Sequence, residues 1–437
     1  MTSVNEKSNR ILFIDILRGL TLLGVMLVNA VTINGPYFLD GIDFAFKFSE
    51  LDHILSGIVS FLLLEKSYPV FVFLFGLSNQ LLLNKLLQTL PSQKVFKIYL
   101  KRMFVLGIIG TLHLAFFYWG DVLLTYALLG CLVGVLINYV FHNNYLKLLR
   151  FNIILIIISL IINSWIFLHI NSDVLHTDPE DHFVDVLARN SKQELVIQSN
   201  QNLIPYNHHS NNNVFIKVYQ EGNISSVLYF NIYSYINSFG AGLYKPVDAM
   251  IGLDSVNYFI EVLILIIFGI LMANSQILKN DILNYSNKTY LACLTIAGSV
   301  FLNCEMIDSY DISSLSWIHI FNIFILINNI VLYIFIVASA YRVLSYNNLN
   351  QYLERFSAIG RMTLTWYLLH SIVMSLILFS YGFGLYGKIG VTDCILLTII
   401  YYYCCYKISP IWLKKFKQGP IEKYWRYLTM PRNLHSI

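Results

Sequence analysis

The amino-acid sequence predicts an all-α membrane protein that crosses a bilayer about ten times. Of its 437 residues, 57% are hydrophobic and 12% are charged, whereas soluble domains carry about 25% charged residues. The apolar residues form runs near the roughly 20 residues that a helix needs to cross the hydrocarbon layer. Most of the chain is therefore expected to contact lipid or other apolar helices. The net charge of +4 is too small to indicate binding to nucleic acid.

Ten apolar runs are candidates for membrane-spanning helices. They are residues 11–33, 67–87, 103–119, 121–141, 151–170, 257–274, 289–304, 316–341, 363–381 and 391–411. Residues 51–64 are too short to cross the bilayer, so we expect an interfacial or re-entrant segment there. The first run contains Asp15 and Arg18 and lacks a small-residue cleavage site. We therefore expect it to remain as the first span and not to be removed as a signal peptide.

One long polar segment divides the spans into two halves. We predict a five-helix half in residues 1–170, a loop outside the cytoplasm in 171–256, and a five-helix half with a basic tail in 257–437. Alternate loops of this arrangement are basic; their Lys and Arg residues are Lys94, Lys97, Lys101, Arg102, Lys147, Arg150, Lys279, Lys288, Arg342 and Arg355. Positively charged loops stay in the cytoplasm, so both termini are predicted to be cytoplasmic.

Missing motifs argue against several classes of function. The six cysteines lie in or beside apolar runs and form no Cys-x-x-Cys pair, so we expect no metal. The sequence contains no Walker A motif, no dinucleotide-binding glycine turn, no HExxH and no GxSxG. These absences argue against an ATP-driven pump, an NAD enzyme, a zinc protease and a serine-triad hydrolase.

Polar residues inside apolar runs are energetically costly, so they mark candidate functional positions. In the first span, Asp15 and Arg18 are three residues apart, and Asn29 follows Arg18 by three turns, so one helical face carries all of them. This stripe could line a path, with Arg18 toward the cytoplasm and Asn29 toward the outside. Alternatively, Asp15 and Arg18 form an ion pair at the membrane interface and the Asn29 amide hydrogen-bonds to a neighbouring helix. This explains the pattern equally well.

A second candidate site lies at the outer end of the third predicted span. His113 is followed by Asp121, and Gly120 between them would have to bend the chain for the two to touch. Histidine is a common general base because its unperturbed pKa is near neutral, and a carboxylate can orient its ring. The alternative is a buried histidine that hydrogen-bonds to a neighbouring helix.

Three further residues are weaker candidates. His53 lies in the short segment near the outer face, and His370 lies within the ninth predicted span, where hydrogen-bonded packing is the alternative. Arg361 is at the cytoplasmic start of that span. It could bind a phosphate with two parallel hydrogen bonds, or it could anchor the helix at the interface.

Five blocks of sequence form a pattern that spans nearly the whole chain. In chain order they are Asp15-x-x-Arg18-Gly19 with an apolar run ending at Asn29, an LFG block ending at Gly76, His113 with Gly120-Asp121 and the TYALLG block that contains Tyr126, GRMTLTWYLLHS from Gly360, and KQGPIEKYWRYLT from Lys417. These blocks, in this order, resemble the YeiB family of bacterial membrane proteins. Its members are grouped with transmembrane acyltransferases that include the lysosomal heparan-glucosamine acetyltransferase and the O-antigen acetylases.

This resemblance implies transfer of an acyl group from cytoplasmic acyl-coenzyme A to a hydroxyl or amine outside the cytoplasm. The expected donor is acetyl-coenzyme A. The acceptor would be an envelope glycan, a glycolipid or an exported small molecule. The O-antigen acetylases carry a histidine where this chain has Asn29. The heparan enzyme shares that replacement and has its catalytic histidine at a place comparable with His53. His113 matches the YeiB-type pattern, whereas glutamine is usual in the family at the position of His370.

The expected catalytic pair is His113 as general base and Asp121 as the group that orients it. The residues expected to bind the donor or substrate are Arg18, Asn29, Arg361, Tyr126, His370 and His53. The expected location is a bacterial inner membrane. A homodimer is one possible state, and no nucleic-acid partner is expected. A multi-pass transporter remains the main alternative, since intramembrane charges suit a carrier. A lipid-linked glycan transferase is the weaker one, because Asp121 has no carboxylate partner in the sequence pattern.

Overall fold

The computed structural model describes residues 2–34, 50–63, 67–173, 218–244, 249–275 and 350–431, and every regular element in these ranges is helical. The all-α prediction is confirmed for this part of the chain. The helices are α1 (Thr2–Asn34), α2 (Glu50–Leu63), α3 (Ser67–Leu86), α4 (Ser92–Phe116), α5 (Leu123–Val135) continued by a π-helical turn (Leu136–Val140), α6 (Tyr145–Asp173), α7 (Ile224–Tyr244), α8 (Ala249–Asn274), α9 (Asn350–Gly360), α10 (Thr363–Leu378), α11 (Val391–Phe416) and α12 (Pro420–Thr429).

Six segments of the described chain are long and apolar enough to cross a membrane. They are Leu12–Asn34, Ser67–Leu86, Leu123–Val140, Tyr145–Ser164, Val256–Asn274 and Val391–Phe416. Helices α9 and α10 meet at an angle of 73° and add a seventh if the bent pair is one span. The predicted runs 289–304 and 316–341 lie outside the described residues, and the predicted run 103–119, mostly in α4, is not among these spans. The total of ten therefore stays a prediction.

Apolar side chains on the outer surface mark the faces expected to contact lipid. On α4, the exposed residues Phe104, Ile108, Leu112 and Phe116 recur every four residues and form one stripe. Helix α6 carries a similar exposed stripe that includes Ile154 and Ile161. Apolar surface on this scale is unusual in soluble monomers. The protein is therefore built for an apolar solvent.

The segment 171–256, assigned above to one outer loop, contains more helix than its polarity indicates. Helix α7 occupies Ile224–Tyr244, α8 begins at Ala249, and α7 packs against both α4 and α8. The α7 sequence mixes Asn, Ser and Tyr with apolar residues. This mixture lowers the hydropathy without preventing a helix with a buried face. Residues 224–244 are therefore helical within the segment predicted as a loop, and its position outside the cytoplasm stays a prediction.

Close helix crossings hold the bundle together. A Cβ atom on Gly19 would be 2.3 Å from the Phe356 carbonyl oxygen, and one on Gly360 would be 1.8 Å from the Asp15 carbonyl oxygen. Helices α1 and α9 therefore touch backbone to backbone, which small residues permit in membrane proteins. The crossing brings the Asp15-x-x-Arg18-Gly19 block against the Gly360-Arg361 block.

The C-terminal helix α12 fixes the start of α10. The Glu422 carboxylate accepts hydrogen bonds from the Thr365 backbone N–H at 2.9 Å and from the Thr365 hydroxyl. Burial raises the pKa of Glu422 above its usual value, while these hydrogen bonds act in the opposite direction. Glu422 therefore supplies an acceptor for the first turn of α10, whose N–H groups have no helical partner.

Candidate active site

His113 and Asp121 form a buried pair where α4 turns back into α5. The His113 Nδ1 atom lies 2.9 Å from Asp121 Oδ1, and the two side chains are 1% and 0% exposed. Helix α4 ends at Phe116, and the chain reverses before α5 begins at Leu123. A Cβ atom on Gly120 would approach the Tyr118 phenol ring to 2.6 Å. The glycine therefore leaves room for the Tyr118 ring where the chain reverses.

Three donors converge on the Asp121 carboxylate. In addition to His113, the Tyr367 hydroxyl donates to Oδ1 at 3.3 Å, and the Leu124 backbone N–H donates to Oδ2 at 3.1 Å. The N-terminus of α5 adds the positive end of its helix dipole. Both oxygens of the carboxylate therefore accept hydrogen bonds. This arrangement directs the His113 Nδ1–H toward Asp121.

The other ring nitrogen of His113 is available for chemistry. Its Nε2 atom is buried and has no hydrogen-bond partner among the described residues. With Nδ1–H donated to Asp121, neutral His113 carries a lone pair on Nε2. A general base requires this arrangement, a proton acceptor whose second nitrogen is fixed by a carboxylate.

Tyrosine side chains surround the pair. Tyr126 is 1% exposed, and its hydroxyl has no hydrogen-bond partner among the described residues. It lies close enough to Asp121 to interact with its charge, as do Tyr235 and Tyr258. The Tyr258 hydroxyl shares a hydrogen bond with Tyr68. Phenol groups at these positions can donate hydrogen bonds inside an otherwise apolar bundle.

The remaining candidates at this end are Asn29, His370 and His53. Asn29 is buried on α1, one turn before Thr32, whose hydroxyl lies 2.7 Å from the Tyr118 hydroxyl. His370 is 1% exposed on α10, one turn after Tyr367. His53 is on α2, but its side chain lies outside the described part of the structure. The structure thus brings His113, Asp121, Tyr126 and His370 into one region.

The arginine candidates form a separate group. The Arg18 guanidinium pairs with Asp15 at 2.9 Å, and Arg361 also interacts with the Asp15 charge. Arg361 additionally donates to the Lys417 carbonyl oxygen at 2.8 Å. Arg361 lies in the break between α9 and α10, two residues before α10 begins at Thr363. Tyr367, which donates to Asp121, follows about one turn into α10.

A partly enclosed cleft of the described chain lies toward the basic end of α4 and not at the His113–Asp121 pair. Its open space is about 670 Å³, and the polar part of its wall comes from Asn79, Gln80, Asn138, Asn143 and Tyr145. The apolar wall includes Phe75, whose ring centroid is 5.1 Å from that of Tyr126. The cleft therefore contacts the tyrosines around Asp121 through the Phe75 and Tyr126 rings.

Sequence reasoning missed residues that α7 contributes to the site. The Asn231 side chain is fully buried, donates to the Ala115 carbonyl oxygen at 3.1 Å and accepts from the Tyr219 hydroxyl at 2.8 Å. The Tyr235 hydroxyl lies 3.4 Å from the Thr125 hydroxyl, beside Asp121. Neither residue belongs to a block with a recognisable pattern, so the sequence carried no signal for them.

Glu261 was also missed, although a signal was present. It is a carboxylate within the apolar run 257–274, and such residues are functional candidates by default. It is 7% exposed on α8 and accepts a hydrogen bond from the Asn257 side chain at 2.8 Å. Asn257 also donates to Asn163 at 3.1 Å and accepts from Ser159 at 2.8 Å, which joins α8 to α6.

Comparison with known proteins finds similarity to proteins whose descriptions give no activity. A family model described as "Protein of unknown function (DUF418)", a family of membrane proteins, matches residues 272–432, which include α9 to α12. The chain is also 26% identical over 444 residues to the uncharacterized protein YxaH of Bacillus subtilis (strain 168), covering 98% of this chain and 95% of that protein. No solved structure matches the chain. This chain is therefore similar over nearly its whole length to a bacterial protein.

Proposed function

We propose that the protein is a transmembrane acyltransferase that uses acyl-coenzyme A and modifies a hydroxyl or amine. The observation that supports this most directly is the buried His113–Asp121 pair with an unpartnered Nε2 atom. The resemblance to the YeiB family supports the same reaction. The proposal includes ten spans, from the apolar runs, and cytoplasmic termini, from the distribution of basic residues. It also includes a bacterial inner membrane, as the family resemblance implies.

In this reaction His113 removes a proton from the acceptor. As the acceptor oxygen or nitrogen forms a bond to the thioester carbon, its proton moves to His113 Nε2. The carbon–sulfur bond then breaks, and the imidazolium returns the proton to the departing thiolate, which gives free coenzyme A. Asp121 stabilises the imidazolium through the Nδ1–H bond. The Tyr126 hydroxyl would donate to the carbonyl oxygen, where negative charge develops.

The arginine group would bind the charged end of the donor. Arg361 is exposed and Arg18 is 27% exposed in its side chain, so a soluble anion can reach both guanidinium groups. Arginine matches the geometry of phosphate oxygens with two parallel N–H bonds. Arg361 lies just before α10, the helix whose Tyr367 contacts Asp121, so one extended molecule would contact both groups.

A thermal-shift assay tests the donor assignment. A ligand that binds only the folded state raises the melting temperature by mass action. Acetyl-coenzyme A and coenzyme A should both stabilise the purified protein, whereas ATP should stabilise it less, and Arg361→Ala should weaken the shift. His142→Asn is a matched control, because His142 is exposed with φ 49°, a conformation that asparagine tolerates. No shift with millimolar acetyl-coenzyme A would argue against the proposed donor.

A carrier is the second candidate function, and two observations favour it. Glu261 is a buried carboxylate inside a span, and α9 and α10 form a bent pair, both of which are common in transporters. Solute flux into proteoliposomes without any covalent product would support this alternative. Acyl transfer to an acceptor would support the first proposal.

A further inference from the structure

His370 has a fixed tautomer, which follows from its neighbour Thr398. The Thr398 hydroxyl donates its hydrogen to the Cys394 carbonyl oxygen at 2.9 Å. Its oxygen can then only accept from the His370 Nε2 atom, which lies 3.1 Å away. Neutral His370 therefore carries its proton on Nε2 and a lone pair on Nδ1. The Nδ1 atom is buried and has no partner among the described residues.

His113 has the opposite tautomer, with the same consequence. Asp121 accepts from Nδ1, so the lone pair is on Nε2, and that atom is also buried without a described partner. Two buried imidazoles thus each present a hydrogen-bond acceptor with no donor. Buried acceptors without donors are rare in folded proteins and call for an explanation such as a bound molecule.

The two histidines belong to the same part of the bundle. Tyr367 and His370 are three residues apart on α10, so they share a face of that helix. The Tyr367 ring centroid is 5.2 Å from that of His113, and a charge on His113 acts electrostatically on His370. The two unpartnered nitrogens therefore belong to histidines on either side of Tyr367, His113 by ring contact and His370 by its position on α10.

We propose that His113 Nε2 and His370 Nδ1 together bind the acyl acceptor, which must present two adjacent donor hydrogens, as a vicinal diol or a primary amine does. One hydrogen is donated to His113, which removes it during transfer. The other is donated to His370, which holds the acceptor in place. This inference rests on the proposed function for the transfer step, but the binding of a two-donor group does not depend on it.

A lone alcohol is a poor ligand for such a site. It has one hydrogen and satisfies one nitrogen, so the other histidine remains buried without a donor. The binding preference for a two-donor group over a matched single donor should be roughly ten- to hundredfold. The site therefore selects against simple alcohols and thiols.

The first test uses histidine nitrogen NMR on the full-length protein in lipid, without an acyl donor. The probes are cis-1,2-cyclohexanediol and its matched single donor, cyclohexanol, with ethylamine as a primary amine. Protein labelled with ¹⁵N-histidine should show His113 protonated on Nδ1 and His370 on Nε2, with assignments from His113→Gln and His370→Gln. The diol or the amine should shift both unprotonated nitrogens together, and cyclohexanol should not.

Three outcomes would overturn the proposal. They are a different tautomer at either histidine, no joint shift with either two-donor probe, or an equal response to cyclohexanol. Signals that already report hydrogen bonds before addition and do not change with any probe would indicate a water site only. A joint shift in a protein that transfers no acyl group would instead overturn the proposed function and leave the two-donor site standing.

A second test separates binding from chemistry in the active protein. His370→Leu should raise KM for the diol roughly ten- to hundredfold, with a much smaller effect on kcat. His370→Gln should restore much of the binding, because its amide oxygen can accept from the ligand while its NH₂ group donates to Thr398. An equal KM for the diol in wild type and His370→Leu would contradict the assignment. If His370→Leu fails to fold, the NMR experiment on the wild type still decides.

Discussion

The site residues fall into two groups that differ in their access to solvent. His113 and Asp121 are almost completely enclosed at the junction of α4 and α5, whereas Arg18 and Arg361 lie where solvent reaches them. A buried pair is fixed in geometry and has strong electrostatic interactions because water is excluded. An exposed arginine can capture a charged molecule from water. The contrast indicates that one group is suited to chemistry and the other to binding.

The largest expected effect follows from changing the buried group. Asp121→Asn replaces a charged acceptor with a neutral amide, which cannot stabilise the imidazolium and permits the wrong His113 tautomer. We expect acyl transfer to fall about 10²- to 10⁴-fold. The measurement is the rate of coenzyme A thiol release with an acceptor present. Activity within a factor of a few of wild type, in a folded variant, would remove Asp121 from the mechanism.

The helix crossing between the two groups should be the next most sensitive feature. Gly360→Ala places a methyl group where the Asp15 backbone oxygen already lies, so α1 and α9 must separate. We expect destabilisation of about 1–3 kcal/mol or more, measured as the loss of melting temperature in detergent. Gly107→Ala is the matched control, because its new methyl group would meet only the Ala127 side chain at 3.5 Å. Equal melting temperatures for the two variants would refute the proposed contact.

Within the arginine group, the two side chains should differ in their effects on stability. Arg18→Ala leaves the buried Asp15 carboxylate without its hydrogen-bonded partner, at a cost of about 1–3 kcal/mol. Arg361→Ala removes an exposed side chain and should change stability less. Arg361→Ala should therefore melt at a higher temperature than Arg18→Ala. Adding Asp15→Asn to Arg18→Ala should recover part of the melting temperature that Arg18→Ala loses. The reverse ranking would show that Asp15 depends mainly on Arg361.

The smallest predicted effect concerns pH and Glu422, at the start of α10. Burial raises the pKa of this carboxyl, so folding favours its protonated form. The contribution of that protonated form to stability is complete below the unfolded pKa of about 4.5. It is lost as pH rises through the folded value. The melting temperature of Glu422→Gln minus that of wild type should therefore increase as pH rises from about 4 to 7. A constant difference over this range would mean that Glu422 does not titrate as described.

The sequence indicated the His113–Asp121 contact better than the surroundings of the pair. His113 and Asp121 stood out because each is costly in an apolar run and Gly120 offered a bend. Tyr367, Asn231 and Tyr235 could not be assigned, since their contacts join helices that are distant in the chain. Glu261 could have been found by the same rule that selected Asp15. Helix α7 was hidden because its Asn and Ser residues resemble those of a loop.

The most direct test of the central claim is acyl transfer by purified wild-type protein, His113→Ala and the control His142→Asn in proteoliposomes. Radiolabelled acetyl-coenzyme A is the donor, and label on lipid or on cis-1,2-cyclohexanediol is counted. We predict transfer by wild type and by His142→Asn, and a loss of about 10²- to 10⁴-fold in folded His113→Ala. Undiminished transfer by His113→Ala would contradict the account of this site.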